Sequence, residues 1–135
     1  MSEIKVDTLT GKTSAGDITV TSEGGAATMQ LQQGLAKAWN NLNFSTATIA
    51  DSLNTASITD VAVGRFSCSY TNSFANKVYS SSGSSRFNLT DADVSNRAVN
   101  HQPATSSVNI NVFITSSGSN NDDEGVDSQF HGDLA

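Results

Sequence analysis

Apolar and polar residues alternate with a period of two along several segments of the chain, which is the pattern of half-buried β-strands. The clearest case is the segment SVNINVFI at residues 107–114, where Val108, Ile110, Val112 and Ile114 share one face. Asn109, Asn111 and Phe113 share the other face. The segment therefore predicts a strand with one buried side, and Phe113 is a candidate contact to another surface.

Two further segments follow the same rule. In RFSCSY, Phe66, Cys68 and Tyr70 alternate with serines, and in GVDSQF the residues Val126, Ser128 and Phe130 fall together. Thr48-Ile49 and Ile58-Thr59 are brief strand candidates, whereas SSSGSS and SSGSNNDDEG have the composition of loops. The predicted core comprises Trp39, Phe66, Cys68, Tyr70, Val108, Ile110, Val112 and Ile114.

The N-terminal segment predicts two short strands around a Ser/Gly turn. Ile4, Val6 and Thr8 alternate in the first strand, and Ile18 and Val20 in the second, before Gly24-Gly25. A two-stranded hairpin with so few apolar residues is marginal in water. Something else must therefore cover its apolar side chains.

The segment ATMQLQQGLAKAWNNLNF allows two interpretations. Leu31, Leu35 and Trp39 have helical spacing, but Leu35, Lys37 and Trp39 would also share one face of a strand. We favour a short helical turn near Met29–Gln33 that leads into a strand from about Leu35. The prediction is an all-β fold: an N-terminal segment 1–34 with a short strand pair and a helical turn, then an antiparallel β-sandwich over 35–135.

Composition supports a β fold with a thin core. Leu, Ile, Val and Phe supply 29 of the 135 residues, whereas Ser, Thr and Asn supply 48. These short polar residues compete with the backbone for hydrogen bonds inside helices, so they favour strands and turns. The apolar content lies just above the range typical of disordered chains.

Charge excludes some partners. The net charge is −6 and the sequence pI is about 4.5, so a nucleic-acid partner is not expected. The acidic residues near the C-terminus predict a solvated loop: Asp122, Asp123, Glu124, Asp127 and Asp133. The sequence contains neither a signal peptide nor a long apolar run, which predicts a soluble chain made in the cytosol without membrane insertion.

Gly11-Lys12-Thr13 matches the end of a phosphate-binding loop, but Val6 stands where the motif requires glycine, and a strand is predicted afterwards instead of a helix. Asn120 to Gly125 imitates the start of a calcium loop, although His131 replaces the bidentate Glu. We expect no nucleotide site at the first motif. A weak surface cation or an acidic hairpin tip remains open at the second.

Catalytic and metal-binding patterns are lacking in the sequence. The only histidines, His101 and His131, have no metal-like spacing to the single cysteine, Cys68, which falls on the predicted buried face. No Gly-x-Ser-x-Gly turn accompanies the serines. The sequence therefore predicts a protein that is not an enzyme and has no cofactor and no metal site.

The order of segments KVDTLTG…GDITVTSEGG, LQQGLAKAWNNLN, DSLNTASITD and RFSCSYTNSF resembles small fibre-type virion proteins of tailed bacteriophages, especially those of aquatic hosts. The similarity covers roughly residues 3–80, with a weaker match at SVNINVF. It implies a homotrimeric tail fibre, spike or head-decorating protein that is located in the virion and contacts other virion structural proteins.

Within this expectation, the assembly element is the N-terminal segment, through its five apolar side chains: Ile4, Val6, Leu9, Ile18 and Val20. Contact with a host surface glycan is expected from the Ser/Gly/Asn loops around Asn76 to Ser85 and His101 to Ser107. Two alternatives remain: a capsid decoration protein and a free-standing carbohydrate-binding β-sandwich. The second alternative needs exposed aromatic residues, for which Trp39, Tyr70 and Tyr79 are the candidates.

Overall fold

A computed structural model describes residues 3–14, 17–22, 24–25, 27–86, 97–115 and 117–135 of the chain. The chain forms two compact units, Met1–Leu35 and Ala36–Ala135. The protein is nearly all β, and its eight longer strands form two antiparallel sheets packed as a sandwich, which confirms the predicted fold class.

In its described residues, the N-terminal unit contains one small hairpin followed by a single 3-10 turn. Strand β1 (Thr19–Thr21) pairs antiparallel with β2 (Thr28–Gln30), and the turn covers Leu31–Gly34. The predicted strand at Ile4 to Thr8 was wrong, since residues 3–10 form no strand and are exposed. Alternation alone does not produce a strand there, because a strand also needs a partner, and residues 3–10 pair with no strand among the described residues.

The second unit holds the sandwich. The strands of sheet one are β3 (Ala38–Asn43), β4 (Thr48–Leu53), β7 (Ser80–Arg86) and β10 (Gly125–His131). Those of sheet two are β5 (Thr55–Ala62), β6 (Arg65–Tyr70), β8 (Arg97–Pro103) and β9 (Ser107–Ile114). The strand order is β4-β3-β10-β7 in sheet one and β5-β6-β9-β8 in sheet two, with every neighbouring pair antiparallel.

The core lies between the inner faces of the two sheets. Its buried apolar residues are Ala38, Leu42, Phe44, Phe66, Cys68, Tyr70, Phe74, Val108, Ile110, Val112, Val126 and Phe130. Aromatic rings link the sheets: the ring centroids of Phe44 and Phe66 are 4.0 Å apart, and those of Tyr70 and Phe130 are 5.8 Å apart. The predicted inward faces of β6, β9 and β10 are therefore confirmed.

Two members of the predicted core were placed wrongly. Trp39 is 36% exposed and lies on the outer face of sheet one, because Ala38, Asn40 and Leu42 occupy the inward positions of β3. Ile114 is the last residue of β9 and is only half-buried, whereas Val108, Ile110 and Val112 on the same face are buried.

Strand β7 was predicted as a loop because its sequence, SSSGSSR, has the composition of one. It is a strand because it pairs with β10 along its whole length, from Ser80 opposite His131 to Arg86 opposite Gly125. A Cβ atom on Gly83 would lie 2.7 Å from the Asp127 carbonyl oxygen and 2.9 Å from Cε1 of His101. The glycine therefore allows strand β8, which carries His101, to approach β7 closely.

The predicted loop from His101 to Ser107 is likewise shorter than expected, since β8 extends to Pro103. The turn between β8 and β9 is closed by a hydrogen bond from the backbone amide of Ala104 to the carbonyl oxygen of Ser107, at 2.9 Å. Much of both segments therefore forms strands, and the loops at these two places are shorter than predicted.

A single residue, Asn54, carries the chain from sheet one to sheet two. It lies between Leu53 of β4 and Thr55 of β5 and has a φ of 59°. Its side chain donates to the Asn72 carbonyl oxygen at 3.0 Å and accepts from the Asn72 amide at 2.6 Å. These two bonds hold the corner against the segment that follows β6.

Candidate functional site

The five residues predicted to drive assembly all lie in the N-terminal unit. Ile4 is 85% exposed and Leu9 is 62% exposed, and Val6 and Val20 are also exposed, whereas Ile18 is half-buried. Two further large apolar side chains of this unit are exposed as well, Met29 and Leu35. The unit therefore has apolar side chains along most of its length that it does not bury itself.

A groove of about 630 Å³ lies on the outer face of sheet one. We call it the outer groove and define it by the lining residues whose side chains project from that face: Trp39, Asn41, Asp51, Ser82, Ser84, Asp127 and Gln129. They come from all four strands of the sheet. The side chains are thus positioned by rigid, hydrogen-bonded backbone and not by loops.

Strand register arranges these side chains in two adjacent rows. The first row runs across the sheet through Leu53, Trp39, Gln129 and Ser82. The second row runs through Asp51, Asn41, Asp127 and Ser84. A β-bulge in the pairing of β3 with β4 falls just after Asn41, next to the second row.

Hydrogen bonds hold most of the polar members of these rows in place. Asn41 donates through Nδ2 to Oδ1 of Asp127, and Nη2 of Arg86 lies 3.4 Å from Oδ2 of the same carboxylate. Gln129 donates through Nε2 to Oγ of Ser82 at 3.0 Å. The outer groove therefore combines one exposed aromatic residue with a prearranged set of amide, hydroxyl and carboxylate groups.

Sequence reasoning missed this site because it assigned Trp39 to the core. The signal for the correct assignment was the run Ala38, Asn40 and Leu42, in which Leu42 shares a face with Asn40 and not with Trp39. Of the other two candidate aromatics, Tyr70 is buried and Tyr79 is half-buried, with their hydroxyl oxygens 3.1 Å apart. Burial raises the pKa of both phenols above its usual value.

The nucleotide-like motif forms no phosphate cradle in the residues that the structure describes. Gly11 lies in a tight turn, where an added Cβ would clash with the Ser14 carbonyl oxygen. The backbone amide of Asp17 closes this turn by donating to the same oxygen at 2.9 Å. The chain then enters β1, so no helix N-terminus follows Lys12.

The acidic segment 120–125 packs into the sandwich and is not the solvated loop that was predicted. Asp122 accepts a hydrogen bond from the Gly64 amide, and Asp123 is fully buried, with its carbonyl oxygen accepting from the Phe44 amide at 2.9 Å. Asn121 donates to the Asp123 carboxylate at 2.5 Å. These hydrogen bonds connect the segment before β10 to the turns at Gly64 and Phe44.

Cys68 and His101 both lie on inner faces. Burial raises the pKa of the Cys68 thiol to about 12, so the reactive thiolate is not populated at neutral pH. Nε2 of His101 lies 2.9 Å from Oγ of Ser128, and the imidazole packs edge-on against Phe130 at 5.3 Å. Burial lowers the pKa of His101 below its usual value of 6.5.

Among the described residues, no three His, Cys, Asp or Glu side chains cluster as a metal site would require. None of the helical segments in that part of the chain has the length and apolar content of a membrane-spanning helix. Comparison with models of protein families, with curated proteins and with solved structures finds no match to this chain.

Proposed function

We propose that this chain is a structural virion protein of a tailed bacteriophage, and that it assembles as a homotrimeric fibre- or spike-type appendage without enzymatic activity. One observation supports the proposal more than any other: the N-terminal unit leaves Ile4, Val6 and Leu9 largely in solvent. The similarity of segment order to fibre-type virion proteins, over roughly residues 3–80, points in the same direction.

The energetic argument for association concerns this unit alone. Ordering a residue costs about 1 to 2 kcal/mol of conformational entropy, and β1 and β2 contain only three residues each. Burying five apolar side chains between subunits, at about 25 cal/mol per Å², would return several kcal/mol per chain. Around a three-fold axis, the N-terminal segment of each subunit covers the apolar side chains of the next subunit. Each segment's own apolar side chains are covered in the same way.

In this proposal, the β-sandwich is the part of the appendage that remains accessible after assembly. All the described core residues belong to the sandwich itself, so this core is buried without a partner. The same features would suit a capsid decoration protein. A free-standing carbohydrate-binding sandwich would instead be monomeric.

Light scattering coupled to gel filtration tests the proposal. We expect the full chain to be a trimer and the chain without residues 2–25 to be a monomer with an intact sandwich. A double variant, Ile4→Ser with Val6→Ser, should also dissociate the trimer. The matched control is Val61→Ser with Val63→Ser, which changes two exposed valines of the sandwich and should leave the trimer intact.

A trimer that survives the deletion would show that assembly depends on the sandwich. A monomeric full chain would overturn the appendage proposal and favour the free-standing module. If the trimer is found, antibody labelling of purified particles by electron microscopy separates a tail location from a capsid location.

A further inference from the structure

We propose that the outer groove of sheet one binds a neutral oligosaccharide, with Trp39 as the stacking platform. This inference is independent of the trimeric state, because all the residues that form the groove belong to one sheet of the sandwich.

The first argument is the position of Trp39. It stands on β3, an inner strand of the sheet, where a polar side chain would be expected on a face turned to solvent. Leu53 beside it is also exposed. The C–H face of a pyranose ring packs against an exposed indole and would remove the apolar surface of Trp39 from water. The hydroxyl groups of the same sugar would face the polar groups of the groove.

The second argument is the chemistry around Trp39. Asn41 and Gln129 provide amide donors and acceptors, Ser82 provides a hydroxyl, and Asp51 and Asp127 provide carboxylate acceptors. Sugar hydroxyls both donate and accept, so they need such a mixed set. Successive outward positions on one strand are about 7 Å apart, which is comparable with the length of one pyranose ring.

The third argument is charge. Two carboxylates, Asp51 and Asp127, line the groove, and the nearby cation, Arg86, is paired with Asp127 at 3.4 Å. A ligand with its own carboxylate, sulfate or phosphate would meet like charge without an unpaired cation in the lining. The lining therefore selects an uncharged, hydroxyl-rich ligand over an anionic one.

The fourth argument is size and rigidity. About 630 Å³ lies within the range of small-ligand sites, which is roughly 300 to 1,000 Å³. The bonds from Asn41 to Asp127 and from Gln129 to Ser82 already fix these side chains. Less entropy is lost on binding when the polar groups are held in position beforehand.

The test uses the intrinsic fluorescence of the full chain, since Trp39 is its single tryptophan. Maltotriose, cellotriose, mannotriose and lactose are titrated to millimolar concentration, with sialyllactose as the anionic comparison and a glycan microarray to widen the panel. We expect a saturable change in Trp39 emission with at least one neutral sugar and none with sialyllactose.

Variants then assign the binding to the groove by isothermal titration. Trp39→Ala and Asn41→Ala should each weaken the affinity by about tenfold or more, equivalent to about 1.4 kcal/mol. Gln102→Ala is the matched control, because it removes an exposed side chain from β8 in sheet two. It should leave the affinity unchanged.

Three results would overturn the inference. One is the absence of saturable binding to any neutral sugar in the titrations and on the microarray. Another is tighter binding of sialyllactose than of the neutral sugars. The third is a Trp39 emission that shifts with protein concentration alone, because a second copy of the chain would then occupy the groove. The oligomeric state is measured separately, so failure here leaves the proposed appendage unaffected.

Discussion

Ile110 lies in the middle of β9 and is fully buried between the two sheets. Truncating it to alanine removes three carbon atoms from a close-packed site and leaves a cavity that the sheets cannot fully close. We expect Ile110→Ala to lower the free energy of unfolding by about 2 to 5 kcal/mol, as measured by urea denaturation.

The neighbouring residue provides the control for this measurement. Asn109 is exposed on the outer face of the same strand, so Asn109→Ala should change the free energy of unfolding by less than about 0.5 kcal/mol. Equal losses in the two variants would mean that the inward face of β9 has been misassigned.

His101 makes stability depend on pH. Because burial lowers its pKa in the folded state below 6.5, the unfolded chain binds the proton more readily. As the pH falls from above 6.5 towards the lowered pKa, the unfolded state gains a proton that the folded state does not, so stability decreases. Below the lowered pKa, His101 is protonated in both states, and a further fall in pH no longer changes its contribution to the free energy of unfolding.

The corresponding experiment compares the wild type with His101→Gln by urea denaturation between about pH 7.5 and 5.5, above the range in which ordinary carboxylates titrate. The wild type should lose stability across this window, and the variant should lose less. Parallel curves would show that the imidazole is not the group responsible.

At the scale of single positions, the sequence predicts the inward faces of β6, β9 and β10, because large apolar residues alternate there with Ser, Asn or other polar residues. It fails at β3, whose inward face carries the polar Asn40 between Ala38 and Leu42. The size of Trp39 suggested a core residue. Local sequence divides the two large apolar residues of β3, Trp39 and Leu42, between opposite faces, and packing against sheet two decides which face is buried.

Among the elements, the corner at Asn54 requires a left-handed backbone conformation. An asparagine tolerates a φ of 59° better than alanine does, and its side chain makes both hydrogen bonds to Asn72. We expect Asn54→Ala to lower the free energy of unfolding by about 1 to 3 kcal/mol. Asn54→Gly loses the same hydrogen bonds and adds freedom to the unfolded chain, but it adopts the left-handed conformation without strain, so we expect it to cost less.

Urea denaturation of the two variants separates the two effects. If alanine and glycine destabilise equally, the left-handed backbone makes no contribution and only the side-chain bonds matter. If neither destabilises, the bonds to Asn72 are replaced by water without loss, and the corner is held by the pairing of β5 with β6 alone.

Strand β7 shows why some elements could not be predicted. Its seven residues include no large apolar side chain, and serine and glycine are typical of turns. The strand forms because β10, about forty residues further along the chain, supplies its backbone partners. The same long-range register assembles the outer groove from four strands, so no local motif could have revealed it.

On the scale of the whole molecule, we expect the sandwich unit to fold without the N-terminal unit. Among the residues that the structure describes, every member of the buried apolar core lies in Ala36–Ala135. We therefore expect a chain of residues 36–135 to fold by itself, with a strand-rich circular dichroism spectrum and a urea midpoint close to that of the full protein. An unfolded or aggregated product would mean that the N-terminal unit contributes to the core.

The position of β10 has a consequence during synthesis. This strand pairs with both β3 and β7, yet its residues, Gly125–His131, are translated after every other strand of the sandwich. Until they have left the ribosome, the nascent chain lacks the middle of sheet one, and the apolar face of sheet two has only part of its cover. Chaperones that bind exposed apolar strands would therefore meet this chain late in translation, and ribosomes that stall before Gly125 would release products that cannot complete the sheet.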